Sequence, residues 1–295
     1  MVLWASAFVA IRSAGGQFAP GALALGRLLV ASLALGVVWL LTDGGWPARA
    51  AWPGILGSGL LWFGLYMITL NWGERDVDAG TAAMVVNIGP ILVALLAGWL
   101  LHEGFPRRLA AVIAMSFGGA IVVGISEASG GRNSVIGMVL CLVAAVCYSA
   151  GVVCQKAALR HASAVQVTTF GCMAGTAACL PFAGQLVSQL GSAPVSATLN
   201  VVYLGLFPTT LGFTTWAYAL ARTTSGRMGA TTYAVPVLVI IMSWLILGQA
   251  PRWLTVAGGV LCLGGVAVSR SRSRADQKQP ADPVPQAVRE PEALA

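Results

Sequence analysis

The stretch Asn87-Ile-Gly-Pro90-Ile-Leu-Val93 recurs 146 residues later as Tyr233-Ala-Val-Pro236-Val-Leu-Val239. Each copy sets a proline in an apolar run long enough to cross a membrane, with a polar side chain three residues before the proline. Other landmarks recur in the same order at offsets of 144 to 146 residues: Trp4 to Arg12 with Tyr148 to Lys156, Trp99 with Trp244, Pro106-Arg107 with Pro251-Arg252, and Gly118-Gly119 with Gly264-Gly265. The shared order and spacing indicate an internal repeat.

The composition excludes several classes of protein. Of the 295 residues, 57% are hydrophobic and 9% are charged, and the mean hydropathy is +0.81. Soluble domains carry about 25% charged residues, and nine of the 27 charged residues here lie in the last 26 positions. The first 269 residues hold only 18 charges, which is too few to cover a soluble surface. A soluble enzyme, a nucleic-acid-binding domain and a disordered protein are therefore excluded.

Apolar runs of membrane-spanning length occur ten times. A helix needs about 20 apolar residues to cross the hydrocarbon core, within a range of roughly 17–25. The predicted spans are residues 2–19, 22–41, 53–72, 79–101, 108–125, 135–155, 164–187, 199–220, 227–248 and 253–269. We therefore predict an all-α integral membrane protein with ten transmembrane helices.

The basic residues indicate how these spans are oriented, because Lys and Arg are enriched in cytoplasmic loops. With ten spans and a cytoplasmic C-terminus, twelve basic residues fall inside: Arg49, Arg107, Arg108, Lys156, Arg160, Arg222, Arg227, Arg270, Arg272, Arg274, Lys278 and Arg289. Four fall outside: Arg12, Arg75, Arg132 and Arg252. The asymmetry predicts that both termini face the cytoplasm.

The two halves of the chain are predicted to be inverted relative to each other. Residues 1–125 and 134–269 each contain five spans, and an odd number of crossings turns the second copy upside down. Inverted repeats are typical of secondary transporters, whose halves rock around a site near the middle of the membrane. Residues 270–295 are rich in proline and alanine and carry nine charges, so a disordered cytoplasmic tail is predicted there.

The sequence also resembles a known family, the EamA-like members of the drug/metabolite transporter superfamily. The resemblance is carried by the segment from Trp4 to Arg12, by Arg27, and by the run Pro90-Ile-Leu-Val-Ala-Leu-Leu-Ala-Gly-Trp-Leu-Leu-His-Glu103. It implies ten helices in two five-helix halves and the export of small metabolites, often amino acids or their relatives, across the inner membrane. One departure is that Gln249 stands where the pattern of the first half has Glu103, which argues against a symmetric acidic pair.

The prolines are the basis of a predicted substrate site. Proline removes a helical hydrogen bond and frees the carbonyl four residues earlier, and in hydrocarbon that carbonyl should face protein or water. Pro90 and Pro236 each lie near the middle of a predicted span, with Asn87 and Tyr233 three residues before them. Two kinked helices in matching positions predict a binding site at the midplane. The alternative is that the prolines only bend the helices for packing.

Aromatic and basic side chains extend the predicted site. Trp4, Trp62, Tyr66, Tyr148 and Trp216 lie deeper in their spans or on predicted inner helices. They could wall an aromatic cavity for apolar or cationic solutes, although core packing or lipid contact is an equally good explanation for each alone. Arg27 lies about six residues inside its span, where it would either reach back to the surface or meet a substrate carboxylate. Arg12 and Lys156 occupy matching positions in the repeats, which favours a shared structural role.

The acidic residues argue against a proton relay, because all of those before the tail are predicted to lie in loops or at span ends: Asp43, Glu74, Asp76, Asp78, Glu103 and Glu127. Neither the cysteines nor the two histidines show metal-ligand spacing, so no cofactor or metal is predicted. The predicted partners are a small-molecule substrate and the lipid bilayer, with no nucleic acid, for a monomer or homodimer. A secondary exporter is favoured. An intramembrane enzyme or a scaffold without transport activity is the alternative.

Overall fold

The structure, a computed structural model, describes residues 1–42, 45–102, 132–248 and 256. Regular structure within these residues is helical, and we number its eight helices in chain order. They are α1 (Val2–Ala14), α2 (Pro20–Thr42), α3 (Arg49–Asp76), α4 (Ala79–Leu100), α5 (Arg132–Ala158), α6 (Ala164–Ser192), α7 (Val195–Ala221) and α8 (Ser225–Leu247). Helices α2 to α8 are long and apolar enough to cross a membrane, and α1 is a shorter apolar helix.

Eight of the predicted spans coincide with these helices, whereas the spans 108–125 and 253–269 and the tail 270–295 lie outside the described residues. Several helix ends differ from the predicted bounds, and two of these differences affect the interpretation. Helix α1 ends at Ala14 and not at residue 19, since Gly15 and Gly16 follow and glycine is costly to order in a helix. Helix α3 continues past residue 72 to Asp76. Glu74 therefore lies within the helix and not beyond its end.

Helices α3 and α7 share a rare feature, a π-helical segment in the middle of the span. Helix α3 comprises a 3₁₀ turn (Arg49–Ala51), an α-helix (Trp52–Ser58), the π segment (Gly59–Leu65) and a second α-helix (Tyr66–Asp76). Helix α7 comprises Val195–Leu204, the π segment Gly205–Leu211 and Gly212–Ala221. The π segments begin 146 residues apart, which is also the offset of the two proline stretches. Such segments are frequent at functional sites.

Helices α4 and α8 change geometry just before their prolines, as the sequence predicts. Helix α4 consists of Ala79–Val86 and Gly89–Leu100, and helix α8 consists of Ser225–Gly229, a 3₁₀ segment (Ala230–Tyr233) and Ala234–Leu247. Their N-caps, Asp78 and Thr224, are again 146 residues apart, and the side chain of each accepts a hydrogen bond from a backbone N–H three residues later. Helix α6 is divided by a 3₁₀ turn (Leu180–Phe182) into Ala164–Cys179 and Ala183–Ser192.

Arg12 and Lys156 have the shared structural role that their positions predict. The Arg12 guanidinium donates to the carbonyl oxygens of Glu74, Arg75 and Val77 at the C-terminal end of α3. Lys156 Nζ donates at 2.7 Å to each of two carbonyl oxygens at the end of α7, those of Leu220 and Thr223. A cation at this end of a helix satisfies carbonyls that lack intrahelical partners and complements the helix dipole.

The N-terminal half (α1–α4) and the C-terminal half (α5–α8) are interleaved. Helix α1 packs against α7 and α8 of the other half, while α5 packs along α3 and α4. Helix α2 lies on α6 and on the π segment of α7. Gly205 permits this last contact, because a Cβ at that position would lie 2.6 Å from Val30 and 2.8 Å from the Arg27 carbonyl oxygen. Among the described residues, each half therefore packs extensively against helices of the other.

We expect Arg12→Ala to destabilise the protein and Arg12→Lys to retain most of the stability. Alanine leaves the carbonyls at the end of α3 without their donor, and a hydrogen bond to a charged group contributes about 1.5–3 kcal/mol. Lysine at Arg12 would reproduce the arrangement of Lys156. The measurement is thermal unfolding of the purified protein in detergent. Equal melting temperatures for Arg12→Ala and the wild type would show that this contact does not support α3.

Candidate functional site

A cavity lies where the two halves of the molecule meet. It is lined by Trp4, Ala7, Phe8 and Ile11 of α1, Arg27 of α2, Trp62, Tyr66 and Leu70 of α3, Ala83, Val86, Asn87 and Pro90 of α4, Tyr148 of α5, Phe213 of α7, and Thr232 and Val235 of α8. The volume of the cavity is about 60 Å³. That is room for roughly four to six waters at about 10–15 Å³ each. A mostly apolar cavity with a few polar groups is the usual form of a small-molecule site.

Seven of the ten residues predicted from the sequence line this cavity: Trp4, Arg27, Trp62, Tyr66, Asn87, Pro90 and Tyr148. Trp216 lies directly behind the wall, with its ring centroid 4.8 Å from that of Trp4 and 6.0 Å from that of Trp62. Tyr233 and Pro236 lie beside the cavity in α8, but their neighbours Thr232 and Val235 supply the lining there. Asn87 is therefore opposed across the cavity by α8 through Thr232.

The cavity wall is a continuous set of aromatic contacts. Trp62 lies at its centre, with ring centroids 6.1 Å from Trp4, 5.4 Å from Tyr148 and 4.7 Å from Phe213. Tyr148 continues the wall to Tyr66, 6.1 Å away. Ring faces of this kind attract cations and bury apolar groups.

The two π segments position this wall. Trp62 is the central residue of the segment in α3. The indole N–H of Trp4 donates at 3.2 Å to the carbonyl oxygen of Pro208, the central residue of the segment in α7. Each irregular segment thus either carries a cavity aromatic or anchors one.

Arg27 is buried, with 3% of its surface exposed, so it does not reach back to the membrane surface. Its Nε donates at 2.6 Å to the hydroxyl oxygen of Thr209, whose own proton is donated at 2.7 Å to the Leu204 carbonyl. The two terminal nitrogens of Arg27 make no hydrogen bond within the part of the chain that the structure describes. The guanidinium is therefore held by one edge and presents its remaining donors at the cavity.

Polar groups of α4, α5 and α8 also meet at the cavity. The Asn87 amide faces it and makes no hydrogen bond to another described residue. The Tyr148 hydroxyl lies beside that of Thr232 but does not meet hydrogen-bond geometry in the described chain. Gly89 allows Tyr148 to approach the break in α4, because a Cβ there would overlap the Tyr148 ring. These groups surround a small volume and can make further hydrogen bonds.

Sequence reasoning missed several residues of the site. Phe8 follows Trp4 by one helical turn, and helical spacing alone could have placed it on the same face. Phe213 and Thr209 gave no such signal, because their positions depend on how α7 crosses the other half. The burial of Glu74 was not predicted either: only 2% of its surface is exposed, although it lies near the end of its span.

Comparison with known proteins agrees with this architecture. Residues 1–125 and 135–271 match the model of the EamA-like transporter family. The chain belongs to that family. It is therefore a multi-pass membrane transporter of small molecules and not an enzyme.

Relatives cover nearly all of this EamA-like transporter. It is 33% identical over 283 residues to the "Probable terminal-alkyne amino-acid exporter" of Streptantibioticus cattleyicolor, covering 96% of this chain and 95% of the relative. It is 35% identical over 266 residues to the "Uncharacterized transporter YdfC" of Bacillus subtilis, covering 90% of this chain and 86% of the relative. A solved crystal structure with 21% identity aligns at a TM-score of 0.64 over 92% of this chain and 97% of that one, which shows a shared fold.

We expect Gly89→Ala to destabilise the EamA-like transporter, because the added methyl group would overlap the buried Tyr148 ring. Overpacking of this kind costs about 1–3 kcal/mol. Gly184→Ala is the matched control, since an added Cβ at that exposed helical position meets nothing within 4 Å and alanine favours helix. Thermal unfolding in detergent should show a lower melting temperature for Gly89→Ala alone. A stable Gly89→Ala protein would mean that Tyr148 is not held against α4.

Proposed function

We propose that this transporter exports small amino-acid-type metabolites across the cell inner (plasma) membrane by alternating access. The observation that carries the proposal is the guanidinium of Arg27, which is buried at an aromatic cavity with its terminal donors free. Leaving a buried cation without partners is costly, and a substrate carboxylate would pair with it in a two-point hydrogen bond. Membership of a transporter family supplies the activity to which this site belongs.

The cavity matches the chemistry of an amino acid in three respects. Arg27 suits a carboxylate, the faces of Trp4 and Trp62 suit an ammonium group or an apolar side chain, and Asn87 offers both a donor and an acceptor. The available volume limits the solute to a few heavy atoms unless the halves move apart. The relative from Streptantibioticus cattleyicolor is named as an amino-acid exporter, which supports the same substrate class here.

The remaining predicted residues have supporting places in the proposed site. Tyr233 and Pro236 belong to the irregular part of α8 that brings Thr232 and Val235 to the cavity. Trp216 packs behind Trp4 and fixes its ring. Pro90 lies in the wall itself, at the break of α4.

We further propose ten transmembrane helices in two inverted halves, residues 1–125 and 134–269, with both termini and the tail 270–295 in the cytoplasm. The recurrence of π segments and N-caps at an offset of 146 residues, and of basic contacts at offsets of 144 to 146, supports two copies of one unit. Because the cavity lies between the halves, rocking of one half against the other would open it to alternate sides. Such a cavity is complete within one chain, so a monomer or a homodimer would serve.

We expect Arg27→Gln to weaken transport far more than Asn87→Ala. Losing a charged partner costs about 1.5–3 kcal/mol, or roughly 10- to 100-fold in affinity, whereas a neutral hydrogen bond contributes about 1 kcal/mol. The measurement is efflux of a radiolabelled mixture of L-amino acids from proteoliposomes. Thr210→Val is a control, because Thr210 neighbours Thr209 but donates only to the Gly205 carbonyl.

Two results would contradict the proposed site. One is unchanged efflux for both Arg27→Gln and Asn87→Ala. The other is a wild-type protein that moves no amino acid. Tyr233→Phe refines the assignment, since unchanged efflux would leave Tyr233 a structural role and lost efflux would give its hydroxyl a part in binding.

The proposed topology predicts which positions an impermeant thiol reagent reaches from outside the cell. In a cysteine-free background, Asp76→Cys and Gly191→Cys should react, while Pro47→Cys and Thr224→Cys should react only after the membrane is opened. Ser129→Cys outside and Phe105→Cys inside would test the predicted span 108–125 in the same way. The opposite pattern in either half would disprove the inverted arrangement.

A further inference from the structure

Glu74 is a buried carboxylate that the proposed substrate site does not use. It lies in the last α-helical part of α3, with 2% of its surface exposed. Neither carboxylate oxygen has a hydrogen-bond partner among the residues that the structure describes. An ionised carboxylate in such a place is strongly disfavoured unless a charge or a proton compensates it.

The charged and titratable groups around Glu74 come from every helix packed against it. Arg12 of α1 and Arg27 of α2 lie within electrostatic reach, as does Asp78 at the start of α4. Cys141 of α5 faces the same region. Within α3 itself, Tyr66 also interacts with the Glu74 charge.

These neighbours are mostly committed elsewhere. The Arg12 guanidinium binds backbone carbonyls, including that of Glu74, and Arg75 donates to the carbonyls of Gly15 and Phe18. Asp78 accepts hydrogen bonds from the backbone N–H and the hydroxyl of Thr81. Arg27 is the neighbour whose terminal donors are free within the described chain.

The repeat shows that the fold does not need a carboxylate at this position. Leu220 occupies the place of Glu74 in the C-terminal half, 146 residues later. Its backbone carbonyl accepts a hydrogen bond from Lys156, as that of Glu74 does from Arg12. The same helix end is therefore built once with an apolar side chain and once with an acidic one. The acidic side chain is an addition to the architecture.

Glu74 is connected to the cavity through two residues. Leu70 precedes it by one helical turn on the same face and lines the cavity, so the carboxyl lies just beyond the wall. Arg27 both lines the cavity and acts on the Glu74 charge. A negative group bound to Arg27 would offset a positive charge that favours the ionised form of Glu74.

We propose that Glu74 is a proton-binding site and that a carboxylate bound to Arg27 favours its protonation. The carboxylate takes a proton from water when the substrate anion arrives and returns it to water when the anion leaves. Because such linkage is reciprocal, protonation of Glu74 also tightens the binding of the anion. The proton-binding part stands on Glu74 alone, and the linkage to transport rests on the proposed function.

Infrared difference spectroscopy of the purified wild-type protein in lipid tests the proton site without any substrate. Between about pH 4 and pH 9, a range that brackets the ordinary Glu value of about 4.3, a protonated-carboxyl band should titrate. Glu74→Gln and Glu74→Leu should lose this band, and Asp76→Asn should keep it. Glu74→Leu should also fold, because it installs the residue found in the other half. A spectrum with no band that depends on Glu74 would overturn the proposal.

Arg27→Gln tests the linkage by removing the positive charge on the cavity side. The half-titration of the Glu74 band should move to higher pH by about 1 unit or more, as expected for loss of a nearby opposite charge. An unmoved band would show that Arg27 and Glu74 are not linked.

Transport supplies the last measurement. Efflux of the L-amino acid mixture from proteoliposomes should be faster with an acidic interior, and Glu74→Gln should abolish this pH dependence. A mutant with the same pH dependence as the wild type would overturn the role of Glu74 in transport. If the wild type moves no amino acid, the proposed function fails, while the infrared result still decides the proton site.

Discussion

Within a bilayer, a backbone carbonyl that loses its helical partner must find another one, because the hydrocarbon offers none. The irregular segments of this transporter meet that requirement with side chains from other helices and with threonine hydroxyls of their own, as Thr210 does for the Gly205 carbonyl in α7. Trp4 binds the Pro208 carbonyl, while Arg12 and Lys156 bind the ends of α3 and α7. The Ser149 hydroxyl lies 2.9 Å from the Gly89 carbonyl at the break in α4. Several departures from regular helix thus create contacts between elements distant in sequence.

These contacts explain why the cavity forms between the halves. The π segments and the breaks in α4 and α8 all lie near it, and side chains from across the interface bind the π segment of α7 and the break in α4. Arg27 shows the same pattern, because a residue of α2 is held by Thr209 in the π segment of α7. Movement of one half against the other would change the surroundings of the guanidinium directly. At the proposed site, substrate binding to Arg27 would therefore be coupled to the relative position of the halves.

Much of this could be predicted from the sequence, and the rest depended on three-dimensional contacts. Hydropathy and the repeat predicted the helices, and depth within a span or position on an inner helix was enough to select Trp4, Trp62, Tyr66 and Tyr148. In α8, sequence symmetry selects Tyr233 as the counterpart of Asn87, whereas Thr232 lines the cavity. Both residues lie in a 3₁₀ segment, whose tighter turn changes which side chains face inward. The position of Glu74 near a helix end did not predict its burial, because neighbouring helices cover its side chain. Burial by neighbours is a property of packing that a single span cannot reveal.

The offset of 146 residues has a consequence for how such a molecule diverges. In a chain built from two copies of one unit, most helix ends and caps occur twice, and the two copies can use different side chains for the same contact. Lysine in place of arginine at one helix end, threonine in place of aspartate at one cap, and leucine in place of glutamate are all precedents within the same polypeptide. Where the two copies differ in side chain but share the same backbone arrangement, the fold does not require one particular side chain. Those positions are the ones at which one half can carry a chemical group that the other half lacks.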